Sequence, residues 1–255
     1  MSAAIELRKV SFATADGRLL LDGISLAVEE GTTTAVLGRS GSGKTTLLRT
    51  VNRMVDPTSG DVLVSGKNVR DANLIELRRS IGYVIQETGL FPHMTAERDV
   101  TLVLEAEGKP RAERVRRGHE LLQAVDLEPG QFAGRYPHQL SGGQRQRVGL
   151  ARALAAEPGV LLMDEPFGAL DPLTRAEMQD MMRALMARLK KTVLLVTHDL
   201  DEALYLGDRI VLLSAGKLVA NLGPEEFLRS TQPEVEEYVR AFHRGEERAA
   251  EEKRA

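Results

Sequence analysis

The glycine-rich stretch from Gly38 to Thr46 constrains the fold more than any other part of the chain. It fits the pattern Gly, four residues, Gly-Lys-Thr, and it lies between the apolar run Thr34–Leu37 and a segment, 46–54, with helical spacing of apolar residues. Glycines let a backbone bend around a polyphosphate and point its N–H groups inward, and a helix N-terminus adds partial positive charge. A phosphate-binding loop is therefore predicted, formed by Gly38, Arg39, Ser40, Gly41, Ser42, Gly43, Lys44, Thr45 and Thr46.

Two side chains of this loop have distinct expected roles. Lys44 is expected to reach the outer phosphates, and the Thr45 hydroxyl is expected to bind a magnesium ion. A Gly/Ser-rich surface turn is the alternative, but a turn does not require Lys-Thr at this offset.

Composition excludes several function classes. The chain has 255 residues, of which 42% are hydrophobic and 28% charged, which is ordinary for a protein with a buried core. A net charge of −3 gives no sign of a nucleic-acid-binding surface, and the absence of cysteine excludes disulfides. Met1–Glu6 does not resemble a signal peptide, and apolar runs such as Val193–Val196 are too short to cross a bilayer. We expect a cytoplasmic protein that meets a membrane through a partner.

Strand and helix patterns alternate along the chain and predict an α/β fold with a mainly parallel sheet. Strands are predicted at 4–10, Ile24–Val28, Thr34–Leu37, 61–65, 81–86, 160–164, 192–197, 209–213 and 217–221. Helices are predicted at 46–54, Leu74–Ser80, 96–107, 111–125, 142–157, 173–190 and 200–206. The predicted domain, 1–230, has a core (1–86 and 158–230) that begins with an antiparallel β subdomain, and a helical subdomain inserted at 87–157. A helical or disordered tail is predicted at 231–255, frayed from Gly245.

Two carboxylates end the buried strand 160–164. In a protein with a phosphate-binding loop, Asp164 is expected to orient magnesium, and Glu165 is expected to accept a proton from the attacking water. The alternative is that Asp-Glu-Pro simply closes a strand; with the loop upstream, we favour the catalytic interpretation.

The run Leu140, Ser141, Gly142, Gly143, Gln144 breaks a rule of helix formation. Ser141 and Gln144 form a capping-box pattern, yet two glycines in a first helical turn each cost up to about 1 kcal/mol relative to alanine. A bare helix N-terminus is suited to binding an anion, which we interpret as the reason for the glycines. A cap alone would leave them unexplained.

Together these motifs resemble the nucleotide-binding subunit of an ATP-binding cassette (ABC) transporter, which has a P-loop nucleoside triphosphatase (RecA-like) core. Gly38–Thr45 resembles the Walker A loop, Val160–Glu165 resembles Walker B with its catalytic glutamate, and Leu140–Gln144 resembles the family signature. Gln86 resembles the Q-loop glutamine, Gly168–Asp171 the D-loop and His198 the switch histidine. The resemblance covers about residues 5–230.

The resemblance implies a head-to-tail homodimer, in which the Ser141–Gln144 helix end of one copy closes over the ATP of the other. His198 would contact the γ-phosphate, Gln86 would join Thr45 and Asp164 around magnesium, and Asp171 would communicate across the dimer. Glu165→Gln is expected to give an ATP-stabilised dimer with greatly reduced turnover. The family stacks adenine on an aromatic ring at a position that falls at Thr14 here. The nearest ring, Phe12, is assigned to the core in preference to an adenine contact.

Within the family, four segments resemble importers of quaternary amines such as glycine betaine, choline and carnitine: 76–86, Gly89–Thr95, 135–140 and Asp164–Asp171. Implied partners are integral-membrane permease subunits, docking near 87–107 at the cytoplasmic face of the membrane, and an extracytoplasmic solute-binding protein. Charge reversal at Glu87 or Glu97 is expected to uncouple transport from hydrolysis. Relatives in this group often carry a regulatory domain pair after the cassette, and we expect none here.

Three alternatives differ in class or substrate. A motor of an amino-acid importer shares much of the same sequence pattern. A soluble ABC ATPase acting on DNA or ribosomes is disfavoured. DNA-repair relatives carry a long coiled-coil insertion between the phosphate-binding loop and the signature, and the span from Lys44 to Leu140 is too short for one. Translation-associated relatives carry two cassettes in one chain, and this chain has one. A regulatory module without turnover is disfavoured by the presence of both Glu165 and His198.

Overall fold

The computed structural model describes residues 3–86 and 88–252, with side chains described through residue 242. Ten strands form two sheets within this part of the chain. In chain order they are β1 (Ala3–Ala13), β2 (Leu19–Glu29), β3 (Thr33–Leu37), β4 (Ser59–Val64), β5 (Lys67–Asn68), β6 (Ile81–Val84), β7 (Val160–Asp164), β8 (Thr192–Val196), β9 (Arg209–Ser214) and β10 (Lys217–Leu222).

The larger sheet has the strand order β10-β9-β3-β8-β7-β6. All its neighbouring pairs are parallel except the β9–β10 hairpin. Strands β3, β7 and β8 are buried almost throughout, as expected for parallel strands covered on both faces. Because parallel strands end at one edge, the segments after β3, β6, β7 and β8 are brought together there. The predicted mainly parallel sheet is confirmed.

The smaller sheet is antiparallel with the order β2-β1-β4-β5, which confirms the predicted N-terminal β subdomain. Its short edge strand β5 was not predicted, since two residues carry no periodic signal. Apolar residues of this sheet share one core cluster with helix α1 (Lys44–Val51), which follows the phosphate-binding loop.

Ten further α-helices, and one 3₁₀ helix at Pro137–Gln139, follow α1 in the described part of the chain. The α-helices are α2 (Leu74–Arg79), α3 (Ala96–Val100), α4 (Leu102–Ala106), α5 (Arg111–Ala124), α6 (Pro129–Phe132), α7 (Gly142–Ala153), α8 (Pro172–Leu189), α9 (Leu200–Leu206), α10 (Pro224–Leu228) and α11 (Pro233–Glu252) within the described residues. None of the helices in the described part of the chain has both the length and the apolarity needed to cross a bilayer.

Two helix predictions differ from the structure. The predicted helix 96–107 is wrong as a single element, because it is interrupted at Thr101, which ends α3 and begins α4. The Thr101 hydroxyl donates to the Glu97 carbonyl at 2.8 Å, and its methyl group lies against Gly118 of α5. At the C-terminal end, the backbone of α11 stays helical to Glu252, where the sequence predicts a frayed segment from Gly245.

Candidate functional site

The phosphate-binding loop connects β3 to α1, as predicted. Two of its glycines, Gly38 and Gly43, are required by protein packing as well as by backbone conformation. A Cβ on Gly38 would lie 2.3 Å from the Leu213 carbonyl oxygen, and a Cβ on Gly43, whose φ is +102°, would lie 2.5 Å from the Leu20 carbonyl oxygen. The loop is therefore held between β9 and β2, and no larger residue fits at either position.

Lys44 spans the loop that precedes it. Its ammonium donates to the carbonyl oxygens of Gly38 at 2.7 Å and Arg39 at 3.1 Å, and the residue is only 6% exposed. Burial lowers the pKa of Lys44, while the nearby carboxylates of Glu165 and Asp164 oppose that shift. The geometry places a buried cation at the centre of the loop, where the charge of a phosphate would be matched.

Thr45 and Asp164 face each other across the ends of α1 and β7. The Thr45 hydroxyl donates to Asp164 Oδ1 at 3.0 Å. Mg²⁺ is bound in phosphate sites by one or two protein oxygens, with water and phosphate oxygens completing the octahedron. A hydroxyl and a carboxylate oxygen at this spacing, next to Lys44, fit that ion. The Tyr83 hydroxyl, a neighbour that sequence reasoning missed, lies 3.4 Å from Asp164 Oδ2.

Glu165 is the meeting point of three predicted motifs. The Gln86 amide donates to Glu165 Oε2 at 3.2 Å, and His198 Nδ1 lies 3.4 Å from the same oxygen. The structure therefore joins Gln86 to Glu165 and shows no hydrogen bond from Gln86 to Thr45 or Asp164. The Glu165 carboxylate is 22% exposed and the His198 ring 62%, so both face the open site.

The turn that carries His198 is fixed by its neighbours. The Thr197 hydroxyl donates to Glu202 Oε2 at 2.6 Å, and the same hydroxyl oxygen accepts from the Asp199 backbone N–H at 3.0 Å. Glu202 is 4% exposed, and burial raises the pKa of its carboxyl group. Sequence reasoning missed Glu202, whose only signal is a position in the first turn of the helix after a strand.

The signature residues begin α7, and the predicted capping box is present. The Gln144 N–H donates to Ser141 Oγ at 3.2 Å, and the Ser141 N–H donates to Gln144 Oε1 at 3.0 Å. Leu140 is buried, as a hydrophobic anchor before the helix. Within residues 3–86 and 88–252, no hydrogen bond or ion pair joins the signature residues to the phosphate-binding loop of the same chain.

The two signature glycines have different surroundings. Gly142 is exposed, and a Cβ there would meet no atom closer than 3.9 Å. Gly143 is buried, and a Cβ there would lie 2.5 Å from Thr174 Cγ2. The expectation that both glycines are bare is wrong for Gly143, because that glycine allows α7 to approach α8. Gly142 keeps its backbone accessible.

Asp171 and the two predicted adenine contacts, Phe12 and Thr14, each have partners within their own chain. Asp171 caps α8 by accepting from the Thr174 N–H at 3.1 Å, and hydrogen bonding from Thr174 lowers the pKa of this carboxyl group. Phe12 is half-buried against the core cluster of the β subdomain. The Thr14 hydroxyl donates to the Asp16 carboxylate, and its oxygen lies 3.1 Å from the Arg18 carbonyl oxygen within the same hairpin. These contacts give each residue a structural role.

The segment after Gln86 is tied to α7 by Arg152, a half-buried arginine. Arg152 donates to the carbonyl oxygens of Thr88 and Gly89, both at 2.7 Å, and to Asp99 Oδ1 at 2.9 Å. Asp99, which is 1% exposed, also accepts from the Phe91 N–H at 2.6 Å. The exposed end of this segment is thereby fixed relative to the signature helix. A groove of about 420 Å³ lies here, lined in part by Gln86, Gly89, Gly142 and Leu170.

The two acidic residues predicted to matter for docking have different outcomes. Glu97 Oε2 lies 2.8 Å from His119 Nε2, so its carboxylate faces α5. Glu87 lies outside the described residues.

Comparison with known proteins identifies relatives over most of the chain. The sequence profile of the ABC transporter family matches residues 21–168. The chain is 47% identical over 236 residues to the glycine betaine/carnitine/choline transport ATP-binding protein OpuCA of Bacillus subtilis, covering 92% of this chain and 62% of that protein. It is 46% identical over 219 residues to the glycine betaine uptake system ATP-binding protein YehX of Escherichia coli, covering 86% of this chain and 70% of that protein.

A solved structure of an ATP-binding cassette is similar to this chain in both fold and sequence. The dimeric ATP-binding cassette MJ0796, in a post-hydrolysis state with ADP and phosphate bound, superposes with a TM-score of 0.77 at 34% identity. The match covers 86% of this chain and 98% of that one. This agreement extends the similarity from sequence to the overall fold.

Proposed function

Because this chain belongs to the ABC transporter family, we propose that it is the ATP-hydrolysing motor subunit of a solute importer. One observation carries the proposal. Lys44, Thr45 and Asp164 lie together beside the phosphate-binding loop, and Glu165 contacts both Gln86 and His198 at the same edge of the sheet. A protein that only bound nucleotide would not need a carboxylate and an imidazole beside the γ-phosphate position.

The residues divide the chemistry among them. Lys44 and the loop N–H groups hold the β- and γ-phosphates, and Lys44 offsets the charge that develops during transfer. Glu165 accepts the proton of the attacking water, and His198 contacts the γ-phosphate. The 3.4 Å separation of His198 Nδ1 from Glu165 Oε2 places the imidazole where it can orient that carboxylate.

Magnesium is the implied metal, with Thr45 Oγ1 and an Asp164 oxygen as its protein ligands. The Gln86 amide oxygen is a third candidate ligand. Bound there, the ion would neutralise phosphate charge and orient the β- and γ-oxygens. The Thr45–Asp164 distance of 3.0 Å supports this assignment.

The active unit in this proposal is a head-to-tail homodimer. Ser141 and Gly142 of each copy close over the ATP held by the other, and Asp171 lies at the contact between copies. The Gly142 backbone is exposed, and among the described residues no hydrogen bond or ion pair links the signature to its own loop; both observations support an anion supplied by the other copy. The dimeric state of MJ0796 supports an assembly of two copies. ATP then bridges the closed form, and hydrolysis removes the bridge.

Permease subunits are the proposed membrane partners, placing the chain at the cytoplasmic face of the membrane. They would dock on the surface of segment 88–107, where the Phe91 side chain is 39% exposed. Arg152 and Asp99 connect that surface to α7, so movement of a permease subunit docked there would be transmitted to the signature.

Quaternary amines are the proposed solutes, delivered by an extracytoplasmic binding protein. Relatives named for glycine betaine, carnitine and choline support this class. The chain spans 62% of the length of the Bacillus relative, so the solute is assigned by similarity of the shared cassette. In vesicles holding this chain with its permease and binding protein, ATP-dependent uptake of labelled glycine betaine or choline, in preference to amino acids, is the expected result. Uptake of amino acids instead would contradict the assignment.

Steady-state ATP hydrolysis tests the motor assignment. Wild-type protein is expected to release phosphate in a magnesium-dependent reaction, and Glu165→Gln is expected to lower kcat by about 10²–10⁴-fold, the usual contribution of a general base. Glu29→Gln, which changes an exposed carboxylate at the end of β2, is the matched control and is expected to keep wild-type turnover. Equal turnover in wild type and Glu165→Gln would contradict the proposal.

A further inference from the structure

The N-terminal half of α11 is seated on the nucleotide-binding core. Val235, Tyr238, Val239 and Phe242 recur at helical spacing and pack against the cluster that contains Leu37 of β3 and Leu200 of α9. Val235 is fully buried. This apolar stripe fixes α11 beside the two segments that follow β3 and β8, which carry the phosphate-binding loop and His198.

Two polar side chains on this part of α11 reach those segments. The Tyr238 hydroxyl donates to the His198 carbonyl oxygen at 3.1 Å. Glu237 pairs with Arg39 of the phosphate-binding loop at 2.8 Å, but both side chains are exposed, 69% and 75%, so this ion pair contributes little. The contacts that fix α11 beside the site are therefore those of its apolar stripe and of the Tyr238 hydroxyl.

The Tyr238 hydroxyl is suited to a permanent donor role. Burial raises the pKa of Tyr238 to about 12, and the largest opposing influence is a hydrogen bond that the phenol oxygen accepts from the Gly38 backbone. The phenol therefore stays protonated, and able to donate, at neutral pH. The same side chain lies beside the first residue of the phosphate-binding loop and beside the backbone of the switch histidine.

We propose that Tyr238 is a positioning residue for His198, holding the backbone of that turn so that the imidazole stays beside Glu165. The inference rests on the proposed function, because it acts through the role of His198 in ATP hydrolysis. Thr197 and Glu202 fix the residue before the histidine and the helix after it. Tyr238 fixes the histidine itself, through its carbonyl group. Segment 231–242 thereby becomes part of the catalytic unit.

Hydrolysis kinetics of Tyr238→Phe in the full chain test the proposal. Removing one hydroxyl leaves the ring and its packing in place. The expected result is a kcat lowered about 2- to 10-fold, which corresponds to one hydrogen bond, with KM for ATP changed less than about twofold. Tyr205→Phe is the matched control, since the Tyr205 hydroxyl donates to Asp180 on the surface, and it is expected to keep wild-type kinetics.

A double-mutant cycle with His198→Ala separates positioning from general stabilisation. If Tyr238 acts through His198, adding Tyr238→Phe to His198→Ala is expected to cause no further loss of kcat. Wild-type kcat in Tyr238→Phe, or the same fold-loss in both backgrounds, would overturn the proposal. Wild-type turnover in His198→Ala would overturn it as well, and would separately remove His198 from the proposed mechanism, while Glu165→Gln would still test the ATPase assignment.

Discussion

At the scale of single residues, the backbone of Glu165 explains how adjacent carboxylates serve one site. In a regular strand, Asp164 and Glu165 would point to opposite faces. Glu165 instead has φ of +47°, in the left-handed region, and its N–H donates to the Val196 carbonyl at 2.9 Å. The turn directs Asp164 to Thr45 and Glu165 to His198. Such strain at a non-glycine residue is typical of functional sites.

Some features of the site could be predicted from the sequence, and others could not. The types and spacing of Lys44, Thr45, Asp164 and Glu165 predict one site, because each follows a buried parallel strand. Side-chain partners chosen by packing carry no such signal. The contact of Gln86 with Glu165 and the close approach of Thr174 to Gly143 arise from elements distant in sequence, and neither could be predicted.

Glu202 gives a prediction of pH dependence. Burial raises its folded-state pKa above the ordinary value of 4.5, so the stability linked to its proton is present at low pH and is lost as pH rises through the raised pKa. Glu202→Gln removes this dependence while keeping an oxygen that accepts from Thr197. The variant is expected to have a higher Tm than wild type at pH 8, with the difference shrinking toward pH 4.5.

Thermal unfolding of both proteins across this pH range, at constant ionic strength, measures the effect. Glu177→Gln on the exposed side of α8 controls for the loss of one negative charge. A Tm difference that is constant with pH, or that grows toward acid, would show that the Glu202 carboxyl group is not the source.

At the scale of elements, α7 combines a packing surface and an open end within two residues. Its C-terminal part is anchored by Arg152 to the segment after Gln86, and its first turn lies against α8 at Gly143. The capping box at Ser141 was predictable, because it is a local pattern with a fixed spacing. The different roles of Gly142 and Gly143 could not be predicted, because they depend on where α8 packs.

Alanine at each glycine separates the two roles. Gly143→Ala is expected to destabilise the fold by about 1–3 kcal/mol, because its methyl group meets Thr174 Cγ2. Thr174→Ser removes that methyl group and is expected to restore much of the lost Tm. Gly142→Ala is expected to gain about 0.5–1 kcal/mol from helix propensity, yet to lose ATP turnover, because its Cβ covers the open backbone.

Tm and ATP turnover are measured on four proteins: wild type, Gly142→Ala, Gly143→Ala, and Gly143→Ala combined with Thr174→Ser. Together these measurements separate the packing role of one glycine from the ligand role of the other. If Gly142→Ala kept full turnover, the backbone at this position would not be a ligand site. If Gly143→Ala unfolded at the wild-type temperature, the packing explanation for that glycine would be wrong.

At the scale of the whole molecule, the fold class follows from alternating strand and helix patterns, and the structure agrees with it. The path of α11 does not follow from sequence, although Val235, Tyr238, Val239 and Phe242 form an apolar stripe. Such a stripe predicts that one side of a helix is buried, but it does not identify the surface on which the helix packs. Its contact with the His198 turn is therefore a result of tertiary structure alone.

The central claim is that two copies close over ATP, each signature covering the nucleotide of the other. Sedimentation velocity of Glu165→Gln, with and without magnesium-ATP, tests it most directly, because this variant is expected to bind ATP without hydrolysing it and so to keep the bridge. The claim predicts a monomer without nucleotide, a dimer with magnesium-ATP, and a monomer under both conditions when Ser141→Arg is added. A monomer at saturating magnesium-ATP, or a dimer that persists with Ser141→Arg, would contradict it.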